Sequence, residues 1–238
     1  MIINQVVKGG GTTPTGTISI TSNGTYDVTN YASANVSVSG GGKYALLDRV
    51  KDDNNVEIGT VVGFRKDSNN NDYVVVCLDA RYRSDEWFAL ISSAIDVDDI
   101  PTYAYGEVFG AKETATENCD AIISAATSHS TTCPAVTLCR NNSFVIDNTT
   151  YYGQLPSLPE LIDIFNYVTE INNLDPDKNN PTYEYYLLAG TGQYWSSTQN
   201  STTLAWRTDS SNGAQPLLAM NKTQQQGGIA PILELPNS

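Results

Sequence analysis

The stretch that most constrains the fold lies near the C-terminus, at residues 193–213. Two short runs of strand-like alternation carry one tryptophan each, Trp195 and Trp206, and a polar turn at 199–202 separates them. An Asn-Gly turn at 212–213 closes the second run. This pattern is typical of an antiparallel meander with buried aromatic side chains. We therefore expect the tryptophans to pack in the core and the surrounding polar turns to form a contact surface.

The charge balance argues against two classes of partner, nucleic acid and anionic lipid. The 238 residues carry a net charge of −13, whereas nucleic-acid binding usually requires a basic patch. The same acidity disfavours anionic lipid, and no apolar run approaches the roughly 18 residues of a membrane span, so membrane insertion is not expected. Residues 1–8 lack the basic start and long apolar core of a secretory signal, which predicts synthesis in the cytosol.

The cysteines and the histidine do not form a recognisable metal-binding or catalytic motif. The four cysteines form no Cys-x-x-Cys pair, and the one histidine, His129, lies in a Ser/Thr-rich stretch. We expect no zinc site, no cofactor and no enzymatic activity. Cys133 and Cys139 could close a small disulfide loop, or they could be small buried residues like Cys77 and Cys119.

Two Asp/Asn-rich loops have a partial calcium-loop pattern. The first, at 67–72, lacks the glycine and the closing glutamate of an EF-hand. The second begins with Asp175-x-Asp177-x-Asn179, but Asn180 stands where the glycine belongs and Pro181 follows. We interpret both loops as turns and expect no bound metal.

Two glycine runs divide the chain into three parts. Residues 1–16 are a short β-prone peptide with a Gly-rich linker, and they are open to two interpretations, an anchor that docks elsewhere or a frayed terminus. Residues 17–42 predict a small β unit with too little apolar surface to fold alone, so it needs self-association or a partner. Residues 43–238 form the globular part.

The globular part has the pattern of an α+β domain. A hairpin is expected from strands at 54–64 and 73–78, and a smaller hairpin at 145–152. Capping boxes predict two helices, at 114–126 and from Ser157 onward, the second with an apolar stripe that reaches Val168. Two final strands are expected at 216–220 and 229–235.

Residues 20–38 resemble a module common in bacteriophage tail and fibre proteins. The resemblance rests on the run Ile-Thr-Ser-Asn-Gly-Thr-Tyr-Asp-Val-Thr-Asn-Tyr-Ala-Ser-Ala-Asn-Val-Ser-Val. It implies a virion protein, made in the host bacterial cytoplasm and assembled as a homotrimer through the stem at 17–42. In that setting, residues 1–16 would bind another virion protein.

Four segments of the globular part resemble a bacterial and phage family of C-type-lectin-like domains, which includes the C-terminal domains of collagen-like adhesins. They are Glu-Asn-Cys-Asp-Ala-Ile-Ile at 117–123, Gln-Leu-Pro-Ser-Leu-Pro-Glu-Leu at 154–161, Tyr-Trp-Ser-Ser-Thr at 194–198 and Ala-Trp-(x)6-Gly at 205–213. The resemblance implies two helices on a twisted antiparallel sheet, with the ligand surface on C-terminal loops.

The chain departs from this family and its relatives at several positions. Gln154 stands where the family often has Trp or Arg, and the ending at 231–235 differs from the usual close. The Glu-Pro-Asn or Gln-Pro-Asp signature of animal lectins is absent, so calcium-dependent sugar binding is not implied. The more distantly similar formylglycine-generating enzymes need a late cysteine pair, whereas every cysteine here lies at or before Cys139.

These features together predict a virion fibre or decoration protein whose head binds a host-surface carbohydrate or protein. The alternative is a purely structural capsid or tail decoration protein without a specific receptor. The predicted ligand-binding residues lie on the polar segments that the tryptophan meander supports: Asn200, Thr202, Arg207, Asp209, Asn212, Gln224 and Gln225.

Overall fold

The computed structural model describes residues 17–20, 33–36, 42–80, 97–104, 107, 113–174, 193–209, 217–222 and 228–237. Its contacts divide the chain into two compact units, residues 1–45 with 237–238, and residues 46–236. In the first unit, strands β1 (Thr17–Ile20) and β2 (Ser33–Val36) pair in parallel. The predicted anchor peptide, residues 1–16, lies outside the described residues.

The second unit mixes helices with antiparallel sheets, so the expected α+β class is confirmed. Its elements follow in chain order: β3 (Arg49–Lys51), β4 (Glu57–Lys66), β5 (Asp72–Leu78), α1 (Ala115–Ser128), α2 (Pro134–Arg140), β6 (Ser143–Ile146), β7 (Thr149–Tyr152), α3 (Leu158–Asn166), α4 (Val168–Leu174), β8 (Gln193–Gln199), β9 (Leu204–Asp209), β10 (Leu217–Asn221) and β11 (Ile232–Pro236).

Two sheets organise this unit. The first has the strand order β11-β5-β4-β3, and the second has the order β10-β9-β8. The predicted hairpin of β4 and β5 is confirmed, and residues 73–78 of β5 are buried on both faces, as a central strand requires. The smaller hairpin, β6 with β7, is confirmed as well.

The 67–72 loop is a turn closed by its own first residue. The Asp67 carboxylate accepts hydrogen bonds from the backbone N–H groups of Asn69 and Asn71 and from the Asn71 amide. These donors lower the pKa of Asp67, with Asn71 contributing most.

The described residues hold no group of three or more His, Cys, Asp or Glu side chains placed to bind a metal ion. The 175–181 loop lies outside them.

Both predicted capping boxes are present. Thr114 and Glu117 cap α1 reciprocally, and Ser157 and Glu160 cap α3, which has Pro159 in its first turn. The apolar stripe predicted to reach Val168 is divided between two helices, because α3 ends at Asn166 and α4 begins at Val168. Helix α2 was not expected from the sequence, and its seven residues are too few to give a clear helical period.

The core contains both tryptophans, as predicted. Trp206 packs with α3 and β5 in one buried cluster, and Trp195 packs with α1 and α2 in another. All four cysteines are buried free thiols, so the interpretation of Cys133 and Cys139 as small buried residues is confirmed. Within the part of the chain that is described, no helix is long and apolar enough to span a membrane.

Candidate ligand-binding cleft

An open cleft of about 680 Å³ lies between helix α1 and the irregular segment 97–104. Its volume is in the range of small-ligand pockets. Apolar atoms make up most of the exposed lining, and carboxylates, hydroxyls, one amide and one aromatic ring are placed among them. The lining residues are Ser68, Asp99, Pro101, Tyr103, Glu113, Glu117, Asn118, Asp120, Ala121 and Ser124.

Helix α1 provides one wall through its solvent-facing side. Glu117, Asp120 and Ser124 are exposed and recur at helical spacing, so they share one face. The opposite face buries Cys119 and Ile122 in the core. Burial of that second face fixes the direction in which the first face points.

Two polar side chains attach the first turns of α1 to neighbouring strands and turns. Glu117 Oε2 accepts from the Thr114 N–H at 3.0 Å, and its Oε1 accepts from the hydroxyl of Ser68 in the β4–β5 turn. Asn118 is 1% exposed, and its amide donates to Ser197 Oγ on β8 at 3.1 Å. The helix wall is thus joined to both sheets.

The opposite wall, segment 97–104, is shaped by the side chain of Gln199 at the end of β8. Its Nε2 donates to the carbonyls of Val97 (3.2 Å) and Ile100 (2.8 Å), and its Oε1 accepts from the Val97 N–H (3.0 Å). The same oxygen accepts from Lys222 Nζ. Gln199 is 2% exposed, so these hydrogen bonds are shielded from competing water.

Tyr103 is held by the tryptophan meander. Its carbonyl accepts from Trp206 Nε1 at 3.0 Å and from Asn200 Nδ2 at 3.1 Å, and its N–H donates to the Gln199 carbonyl. Its hydroxyl donates to Glu113 Oε2 at 2.5 Å. Partial burial, with Glu113 as acceptor, raises the pKa of Tyr103, so the ring stays neutral in the cleft.

The predicted ligand-binding residues have different positions. Asn200 supports the cleft wall through Tyr103, and the Thr202 carbonyl accepts from Lys222 Nζ at 2.9 Å. Asp209 ends β9 opposite Gln193. Asn212, Gln224 and Gln225 lie outside the described residues.

Arg207 differs from the expectation of a contact surface because its side chain is only 3% exposed. Its guanidinium carbon lies 5.5 Å from the centroid of the Trp195 ring, which is its cross-strand neighbour on β8. A guanidinium at this distance makes a favourable cation–π contact. The structure therefore places Arg207 with the tryptophan scaffold.

The cleft was not predicted from the sequence. Glu117 was assigned to a capping box and, with Asp120, to the 117–123 resemblance, whereas Asp99, Tyr103 and Asp120 were given no binding role. The polar spacing of 117, 120 and 124 was available as a signal for an exposed helix face. Segment 97–104 lies opposite that face because Asn200 and Trp206 hydrogen-bond to Tyr103. These partners are 97 and 103 positions away in the sequence, so no local pattern reveals the contact.

Comparisons with known proteins give one distant likeness. No protein-family model and no curated protein matches the chain. A crystal structure of a fimbrial protein from Bacteroides ovatus is similar with a TM-score of 0.49 and 13% sequence identity. The likeness covers 87% of this chain and 50% of that one, so the chain spans about half the length of the fimbrial protein. Similarity at this level assigns neither a family nor a function.

Proposed function

We propose that the chain is a bacteriophage virion fibre or decoration protein whose head, residues 43–238, is a C-type-lectin-like domain that binds host-surface carbohydrate. The observation that carries the carbohydrate part is the cleft between α1 and segment 97–104, which combines carboxylate and hydroxyl groups with apolar surface. The virion assignment and the lectin-like assignment rest on the sequence resemblances at 20–38 and 117–213.

The lining of the cleft suits the chemistry of a sugar. Sugar hydroxyls donate hydrogen bonds, and the exposed carboxylates of Asp99 and Asp120 are acceptors with two oxygens each. Arg140 Nη2 lies 2.6 Å from Asp120 Oδ1, and this ion pair orients the Asp120 carboxylate. Tyr103 and Pro101 add apolar surface against which the C–H face of a pyranose ring can pack.

Weak individual sites become effective when they are repeated. A homotrimer formed through residues 17–42 would present three clefts, and simultaneous engagement raises the overall avidity without any new contact. In this proposal, residues 1–16 attach the protein to another virion component. Asp209, Asn212, Gln224 and Gln225 remain proposed as additional ligand contacts, and Asn200, Thr202 and Arg207 act by supporting the surface.

A glycan array of bacterial surface polysaccharide fragments tests the proposal. The full chain should be displayed multivalently, as wild type and as the Asp99→Asn and Tyr103→Ala variants. We expect wild-type binding that falls at least about tenfold in each variant, the effect of losing one or two buried hydrogen bonds or a stacking surface.

The matched control is Glu170→Gln, which removes one carboxylate charge from an exposed position on α4, away from the cleft. It should bind as the wild type does. Equal binding by all four proteins would move the site elsewhere on the head. Failure of the multivalent wild type to bind any glycan or host cell would instead favour the structural decoration protein.

A further inference from the structure

Two glutamates meet beneath the helix wall of the cleft. Glu160 lies in the first turn of α3 and is 0% exposed, and Glu234 lies on β11. Glu234 pairs with Val75 on β5, on the same sheet face as Tyr73, whose hydroxyl donates to Glu160 Oε1 at 3.0 Å, so the two carboxyl groups are neighbours. Two neighbouring carboxyl groups in the interior do not both ionise, so the pair holds one proton and one negative charge.

Glu234 attaches β11 to the start of α1. Its Oε1 accepts from the Ala115 N–H at 2.6 Å, and its Oε2 accepts from the Thr116 N–H at 3.2 Å. These are first-turn N–H groups without partners inside the helix, and the helix dipole favours a negative charge at this end. These two hydrogen bonds hold the Glu234 side chain at the N-terminus of α1.

Glu160 attaches the pair to α3 and β5. Its Oε2 accepts from the N–H (2.8 Å) and the hydroxyl (2.7 Å) of Ser157, and its Oε1 accepts from the Tyr73 hydroxyl (3.0 Å). Burial, followed by the charge of Glu234, raises the pKa of Glu160 well above its usual range. The proton of the pair therefore resides on Glu160.

Among the described residues, Arg65 on β4 is a positive group that interacts with Glu160, and it is already engaged elsewhere. Its Nε is 2.7 Å from Asp163 Oδ2, and it also donates to the Pro159 carbonyl. Tyr73 is kept neutral by burial and by Glu160, which raise its pKa. Cys119, facing the pair from α1, is a fully buried thiol whose pKa burial also raises. Loss of the proton would leave two carboxylates in contact in the interior.

We propose that Glu160 and Glu234 form a proton-operated latch that joins the first turn of α1 to the first turn of α3. Loss of the shared proton separates the carboxylates and frees the first turn of α1, which carries Glu117 and Asn118 of the cleft. Rising pH thereby weakens ligand binding at the cleft. The effect on the ligand rests on the proposed function, whereas the opening of the helix end does not.

Hydrogen exchange in the full chain between pH 5 and pH 9 tests the latch. After correction for intrinsic exchange, protection of the Ala115 and Thr116 amides should fall about tenfold per pH unit until the pH passes the raised pKa. In Glu160→Gln, which keeps a donor toward Glu234 without a titrating proton, protection should stay flat. Flat protection in the wild type, or an equal fall in both proteins, would overturn the proposal.

A second measurement does not depend on the variant. The carbon resonance of the Glu160 carboxyl group in the ¹³C-labelled wild type should titrate above the usual glutamate range, together with the Ala115 amide shift. Titration of Glu160 at the usual value would overturn the latch. If the protein binds a glycan but amide protection does not change with pH, the proposed function is supported and the latch is not. If amide protection falls with pH but no glycan binds, the latch is supported and the proposed function is not.

Discussion

The two walls of the cleft are built on different physical principles. Helix α1 is a regular element with a capping box, and its buried face packs into the core around Trp195. Segment 97–104 has irregular backbone, and its shape comes from hydrogen bonds to Gln199, Asn200 and Trp206. The helix wall therefore draws on many apolar contacts, whereas the loop wall depends on a few polar side chains.

This difference determines how each wall responds to change. Removal of one buried amide leaves several polar groups of the loop wall without partners, and each such group costs about 1–3 kcal/mol. The helix wall keeps its packing after a single polar substitution, but its first turn depends on the charge state of the buried pair. The loop wall is thus sensitive to substitution, and the helix wall is sensitive to pH.

The largest expected effect follows from removing the central support of the loop wall. Gln199→Leu preserves most of the side-chain volume but leaves the Val97 and Ile100 carbonyls and Lys222 Nζ without the amide. We expect the free energy of unfolding to fall by about 3 kcal/mol, measured by urea denaturation. Thr203→Ala, an exposed change in the same β8–β9 connection, should cost within about 0.5 kcal/mol. If the two variants lose similar amounts of unfolding free energy, Gln199 is not the main support of the loop wall.

The next effect concerns the helix wall and pH. Because the folded-state pKa of Glu160 lies above its ordinary value of 4.5, its contribution to stability is complete below that pH and is lost as pH rises toward the folded-state value. This contribution should decline by about 1.4 kcal/mol per pH unit in that window.

Parallel denaturation series for the wild type and Glu160→Gln isolate the contribution. The difference between the two proteins should change with pH in the stated direction, with the wild type relatively more stable at pH 5 than at pH 7. A difference that is constant between these values would show that Glu160 titrates alike in the folded and unfolded chains.

The smallest effect should come from the outer support of the loop wall. Asn200→Ala removes one hydrogen bond, to the Tyr103 carbonyl, while Trp206 Nε1 still donates to the same oxygen. We expect a loss of about 1 kcal/mol in unfolding free energy. A loss as large as that of Gln199→Leu would mean that Asn200, and not Gln199, dominates the loop wall.

Elements set by neighbouring residues could be predicted from the sequence. Both capping boxes, the β4–β5 and β6–β7 hairpins and the burial of the two tryptophans follow from periodicity and local turn chemistry. Helix α2 was not predicted because its seven residues, which begin with Pro134, are too few to show a helical period.

The cleft and the buried pair depend on tertiary contacts. Trp206 reaches Tyr103 across 103 residues, and Glu234 reaches Ala115 across 119. The sequence predicts that Glu160 and Glu117 are capping residues, and both capping roles are present in the structure. The hydrogen bond of Glu117 with Ser68 and the position of Glu160 beside Glu234 arise only when distant strands and turns pack beside the helix ends.

Chemical-shift mapping of the full chain shows whether the cleft is the ligand site of the head. The titrant is the bacterial surface glycan with the strongest array signal. We expect amide shift changes concentrated in residues 97–104 on one wall and 117–124 on the other, with Glu170 and the β6–β7 hairpin unaffected. Shift changes confined to regions outside these two walls would show that the ligand binds elsewhere on the head.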